Sequence, residues 1–113
     1  MERRRSIRIH EALEFHIGHG SYDTRAVSTN ISLHGAMCFV DKSIPVMTQV
    51  EIALSLPGNS SLKPKKLNLK GVVVRIHEDR LQRGKFSIAI YFSEMKPADK
   101  KTLQNFIEHR LKA

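Results

Sequence analysis

The stretch that most restricts this chain runs from Val50 to Leu56, where Val50, Ile52, Leu54 and Leu56 alternate with Glu51, Ala53 and Ser55. A strict period of two puts the two sets on opposite faces of an extended strand, so this segment calls for a sheet with one buried face. Looser versions recur along the chain. Ile7 to Ile17 carries Leu13, Phe15 and Ile17 at alternate positions and stops at Gly18-His19-Gly20. Thr24 to Ser32 is more polar, with the branched Val27, Thr29 and Ile31 on one face. Gly35 breaks that run, and Ala36 to Val40 reads as a short apolar strand. Beyond the turn residues Pro57-Gly58-Asn59-Ser60-Ser61, Leu67 to Ile76 is extended again, with Gly71 marking a bulge or bend. Phe86, Ile88, Ile90 and Phe92 complete the series. After Pro97 the period changes: Leu103, Phe106, Ile107 and Leu111 share one helical face, and Pro97 suits a first helical turn. Six strands and a late amphipathic helix predict an all-β fold, a six-stranded antiparallel β-barrel covered by a C-terminal α-helix. The expected layout is a single domain over residues 1–113, with an arm at 1–8, the barrel at 9–93 and the helix at 97–111.

The chain's 113 residues can bury one modest core. No apolar run approaches the roughly 18 residues of a membrane span, and the basic first twenty residues lack the apolar core of a secretory signal. Cys38, among Ala36, Met37, Phe39 and Val40, reads as a buried reduced thiol, so the expected location is the cytosol. The net charge of +8 would attract phosphates, nucleic acid or acidic surfaces. It is unevenly spread: four arginines precede residue 9, Lys63, Lys65 and Lys66 cluster in mid-chain, and further cations mark the C-terminal segment.

Two short motifs carry the chemistry. Glu2-Arg3-Arg4-Arg5-Ser6-Ile7-Arg8 holds guanidinium groups that grip phosphate in pairs, meet the O6 and N7 edge of guanine, and stack on a base. In an extended arm Arg4 and Arg8 fall on the same side. Asn30-Ile31-Ser32-Leu33-His34-Gly35 sets an amide and a hydroxyl two residues apart, hence on one outward face, with Ile31 and Leu33 turned to the core. Gly35 fits a position needing a positive φ or a close backbone approach.

The spacings Arg4-x-x-x-Arg8 and Asn30-x-Ser32-x-x-Gly35 resemble the signature of PilZ domains, bacterial receptors for cyclic di-GMP. The similarity extends through Leu67–Arg75 and Ile88–Phe92 to the helix, with Ala89 where a glycine is usual. The resemblance implies that Arg4 and Arg8 bind phosphates and guanine faces, that Asn30 and Ser32 meet a guanine edge and nearby ligand oxygens, and that Gly35 shapes the turn. The family accepts Asp or Asn at the Asn30 position. A carboxylate accepts from both guanine N1–H and N2–H, whereas an amide offers one acceptor and one donor, so weaker affinity is expected here. Arg3, ahead of Arg4, goes in the family with capture of an intercalated ligand dimer, which implies two ligands per chain. Arg5 and His34 are secondary candidates for contact. The expected mechanism is ordering of the charged arm on the ligand, read by an unidentified partner protein.

Plainer readings exist for each element. An arginine-rich start is commonly a solvated tail, and Asn30 and Ser32 can simply cap a turn. His16 and His19 have metal-compatible spacing but no third ligand. Lys63-Pro64-Lys65-Lys66 reads as a solvated hairpin loop, with a second anion or partner contact as its alternative. No nucleophile–base pair, carboxylate pair or glycine-rich phosphate loop stands out, so no enzymatic activity and no cofactor are expected. The competing functions are a nucleic-acid-binding small barrel, against which the apparent scarcity of exposed aromatic residues counts, and a pilus-assembly relative that keeps the fold without binding ligand.

Overall fold

The computed structural model of the chain describes residues 7–20, 22–58 and 63–112. Its elements are β1 (Glu14–His19), β2 (Tyr22–Ile31), β3 (Gly35–Val40), β4 (Gln49–Leu56), β5 (Lys65–Glu78), β6 (Phe86–Glu94) and α1 (Pro97–Lys112). The six strands close into an antiparallel barrel in the order β1-β2-β3-β6-β5-β4, with β1 pairing β4. Closure satisfies both edges of every strand. No helix among the described residues is long and apolar enough to cross a membrane.

Alternation fills the interior. Phe15 and Ile17, Val50, Ile52, Leu54 and Leu56, Leu67, Leu69 and Val73, and Ile88, Ile90 and Phe92 all point inward and are buried. Phe15 and Phe92 stack across the lumen, 6.5 Å between centroids. Cys38 is buried with them, and desolvation pushes its thiol up to about 12. Leu103 and Ile107 of α1 complete the same core, with Phe106 partly buried against it.

Bulges settle what alternation alone leaves open. In β2, Ser28 faces Cys38 but Asn30 faces Met37, so Thr29 is an extra residue and the strand changes phase there. Thr24, Ala26 and Ser28 therefore point inward before the bulge and Ile31 after it, while Val27 stands 44% exposed. The expectation that Val27, Thr29 and Ile31 share a face fails for this reason. In β5 the register shifts between Val73 and Arg75, leaving both Val74 and Arg75 exposed, and again at Gly71, where a bend was expected.

Nor is Ile7 to Ile17 one strand. Ile9 forms an isolated bridge to Ile31, donating to its carbonyl at 2.9 Å and accepting from its N–H at 3.0 Å. Regular pairing resumes only at Glu14. Between them Ser28 substitutes for the ladder: its Oγ accepts from Leu13 N–H at 2.9 Å and donates to the Glu11 carbonyl at 2.6 Å. The Glu11 side chain is drawn away to α1, where it accepts from Arg110 Nε at 2.7 Å.

Candidate functional site

The Ile9–Ile31 bridge fixes the neighbouring residues Arg8 and Asn30 side by side. Arg8 Nη1 donates to Asn30 Oδ1 at 2.6 Å, twenty-two residues apart in sequence. The amide is neutral, and among the described residues no carboxylate pairs with Arg8. Asn30 orients this exposed guanidinium, a group suited to gripping an anion. Arg3, Arg4 and Arg5 lie outside the described residues.

The turn after β2 is built by Ser32 and Gly35. Ser32 N–H donates to the Gly35 carbonyl at 2.8 Å, and Ser32 Oγ accepts from His34 N–H at 3.2 Å. Ser32 is fully buried. It does not share an outward face with Asn30, because the chain leaves the extended conformation at Ile31 and the period of two no longer applies. In this structure its hydroxyl holds the turn. His34 is exposed at the tip, and its carbonyl accepts from Phe92 N–H at 2.8 Å, tying the turn to β6. Leu33 packs partly against the core.

Gly35 is required by a close approach. A Cβ there would collide with the Ile90 carbonyl oxygen of β6, so any side chain would drive β3 and β6 apart. Of the two possibilities open for this glycine, close approach accounts for it.

A further group of residues borders Asn30. Met37 lies opposite Asn30 on one side and Ala89 on the other; Phe39 lies opposite Val27 and Ser87; Tyr91 lies opposite Gly35 and Val72. Phe39 and Tyr91 are 49% and 52% exposed. The outer face of β3 and β6 thus carries an apolar patch with two exposed rings, although Phe15 and Phe92 lie in the core and Phe86 and Phe106 pack against it. Ala36 to Val40 is apolar throughout, so hydropathy alone cannot say which residues face out. The available signal was Gly35, whose phase assigns Met37 and Phe39 to the outer face.

The remaining sequence candidates have local partners. His16 Nε2 lies 2.5 Å from Asp23 Oδ1, and His19 Nδ1 lies 3.0 Å from the Gln49 carbonyl.

The PilZ domain family model matches residues 2–109. The structure of the Bacillus subtilis inhibitor of motility (MotI/DgrA) superposes with a TM-score of 0.82 at 23% identity, over 99% of this chain and 53% of that one. This chain therefore spans about half the length of that protein. The PilZ domain of YcgR from Escherichia coli, solved with c-di-GMP, superposes with a TM-score of 0.69 at 16% identity, over 96% of this chain and 91% of that one. At these identities the likeness is one of fold. No curated protein matches the chain in sequence.

Proposed function

The chain belongs to the PilZ domain family, and from that premise we propose that it is a receptor for cyclic di-GMP that signals through its N-terminal arm. The observation that carries the reading is the hydrogen bond from Arg8 to Asn30. It joins the last arginine of the arm to the first polar residue of the strand motif, and no carboxylate among the described residues pairs with that guanidinium. Cyclic di-GMP supplies two phosphates for arginines and two guanines for flat contact. Phe39, Met37 and Tyr91, beside Asn30, offer a surface on which a planar base can rest.

On this reading Arg4 and Arg8 hold phosphate and guanine, Asn30 reads a guanine edge, and Arg3 favours an intercalated ligand pair. Arg5 and His34 add secondary contacts. Ser32 and Gly35 act by shaping the turn that carries Asn30 and His34. Ligand charge lets the arm settle on the barrel, and a partner protein reads that ordering.

Calorimetric titration of cyclic di-GMP tests the assignment. Arg4→Ala and Arg8→Ala should each weaken binding, with a stoichiometry near two in the unsubstituted protein that falls towards one in Arg3→Ala. Unchanged affinity in both of the first two variants would sink the site.

The exposed Phe39 and Tyr91 also favour a second reading, a barrel that stacks single-stranded nucleic acid. A side-by-side titration with a short oligonucleotide separates the two: the receptor reading requires the cyclic dinucleotide to bind tighter.

A further inference from the structure

The Lys63-Pro64-Lys65-Lys66 run is exposed, as expected of a solvated loop, but only its first half is loop. Strand β5 begins at Lys65, whose partner across β4 is the buried Leu56. Lys65 is in phase with Leu67 and Leu69, so it occupies the inward-facing series at the barrel mouth. Lys66 falls on the outer wall, opposite Ser55. Lys63 and Lys65 line a cleft of about 360 Å³ against α1, a volume typical of small-molecule sites. The helix contributes Asn105, Phe106, His109 and Arg110 to the other side, and Leu56 and Pro57 form an apolar floor.

Charge in this cleft is one-sided. Lys63, Lys65 and Arg110 converge there, and among the described residues that line it there is no carboxylate. Among the described residues, the acid bonded to this group is Glu11, on Arg110 Nε. That bond, with the Arg110 guanidinium carbon 4.4 Å from the Phe106 ring centroid, holds the arginine in a fixed orientation. Further along β5, Lys70 has an acid, Glu51, as its register partner. Like charges brought together beside an apolar floor repel one another until an anion enters.

We propose that this cleft is a second anion site, separate from the Arg8–Asn30 site, and that it takes a phosphate monoester carrying a small planar body, of mononucleotide size. The phosphate sits among Lys63, Lys65 and Arg110, and the planar body lies against Leu56 and Phe106. Because the cations come from both the β4–β5 hairpin and α1, occupancy clamps the helix to the barrel mouth.

The test is a titration of the Arg8→Ala protein with guanosine 5′-monophosphate, inorganic phosphate and guanosine, followed by amide shifts. In that background the first site is disabled, so failure here and failure of the cyclic di-GMP reading are told apart. Saturable shifts at Leu56, Lys65, Phe106 and His109 are expected with the monophosphate, roughly tenfold tighter than with phosphate and absent with guanosine. Lys63→Gln/Lys65→Gln should lower that affinity at least tenfold without lowering the thermal midpoint of the free protein. The proposal is overturned by the absence of saturation, by equal affinity for phosphate and the monophosphate (an adventitious ion only), or by binding that survives the double substitution.

Discussion

The outer faces of β1, β4 and the first half of β5 carry Glu14, His16, Glu51, Ser55, Lys66 and Lys70, whereas those of β3 and β6 carry Met37, Phe39, Ala89 and Tyr91. Both walls cover the same kind of aliphatic interior, yet they differ in how far they are complete. On the polar wall, opposite charges face one another across the strands: Glu51 is the register partner of Lys70, and His16 contacts Asp23. On the apolar wall, rings stand in solvent and Arg8 at the border has an amide for a partner but no carboxylate among the described residues. Exposed apolar area beside a guanidinium is the kind of surface that the proposed flat, anionic ligand would cover. The contrast is between a wall that is largely polar and one that leaves rings in solvent.

The sharpest way to break this contrast is through the backbone. Gly35→Val forces a side chain into the Ile90 carbonyl and should cost about 3 kcal/mol in urea unfolding. Ala53→Val on the polar wall should stay within about 0.5 kcal/mol. Equal losses would mean that β3 and β6 are no more tightly constrained than β4.

Next in size is charge. Arg8→Ala should reduce cyclic di-GMP affinity by about 2 kcal/mol, roughly thirtyfold, in calorimetry. Glu51→Gln, on the other wall, should leave it unchanged. A comparable loss from Glu51→Gln would show that net charge, not the site, governs binding.

Smaller effects sharpen the picture. Phe39→Ala should weaken the ligand by about 1.5 kcal/mol through lost stacking, with unfolding shifted by no more than about 0.5 kcal/mol because the ring is half exposed. If stability falls while affinity holds, the ring belongs to the scaffold.

At neutral pH the least effect is expected from Cys38, which backs the apolar wall. Burial raises its thiol from 9.0 to about 12, favouring the neutral form in the folded protein. Its contribution is therefore whole below pH 9 and is lost as pH rises through 12. Urea midpoints should decline less steeply across that window in Cys38→Ala. Parallel declines would place the thiol in contact with water.

Much of the fold is legible in residue order. Val50 to Leu56 alternates without interruption and forms β4 as read, and the change of period after Pro97 marks α1. The site is less legible. Asn30 and Arg8 stand out by residue type, but their bond depends on a one-residue bridge at Ile9 that no local pattern encodes. Ser32 was misplaced because a two-residue spacing predicts a common face only while the backbone stays extended. The chain turns there, and the hydroxyl closes the turn from inside. Phe39 was hidden by an apolar strand whose inward and outward residues have similar hydropathy.

What the sequence determines by itself is the number of strands, the helix and the two motifs, because periodicity and residue chemistry act over a few neighbouring positions. Tertiary structure decides phase, partner and access. One extra residue at Thr29 exchanges the faces of β2, a clash with Ile90 makes Gly35 obligatory, and closure of the barrel gathers Arg8, Asn30, Phe39 and Tyr91 onto one wall. These depend on contacts between strands distant in the chain. A shift of a single residue in any pairing inverts which side chains meet the solvent.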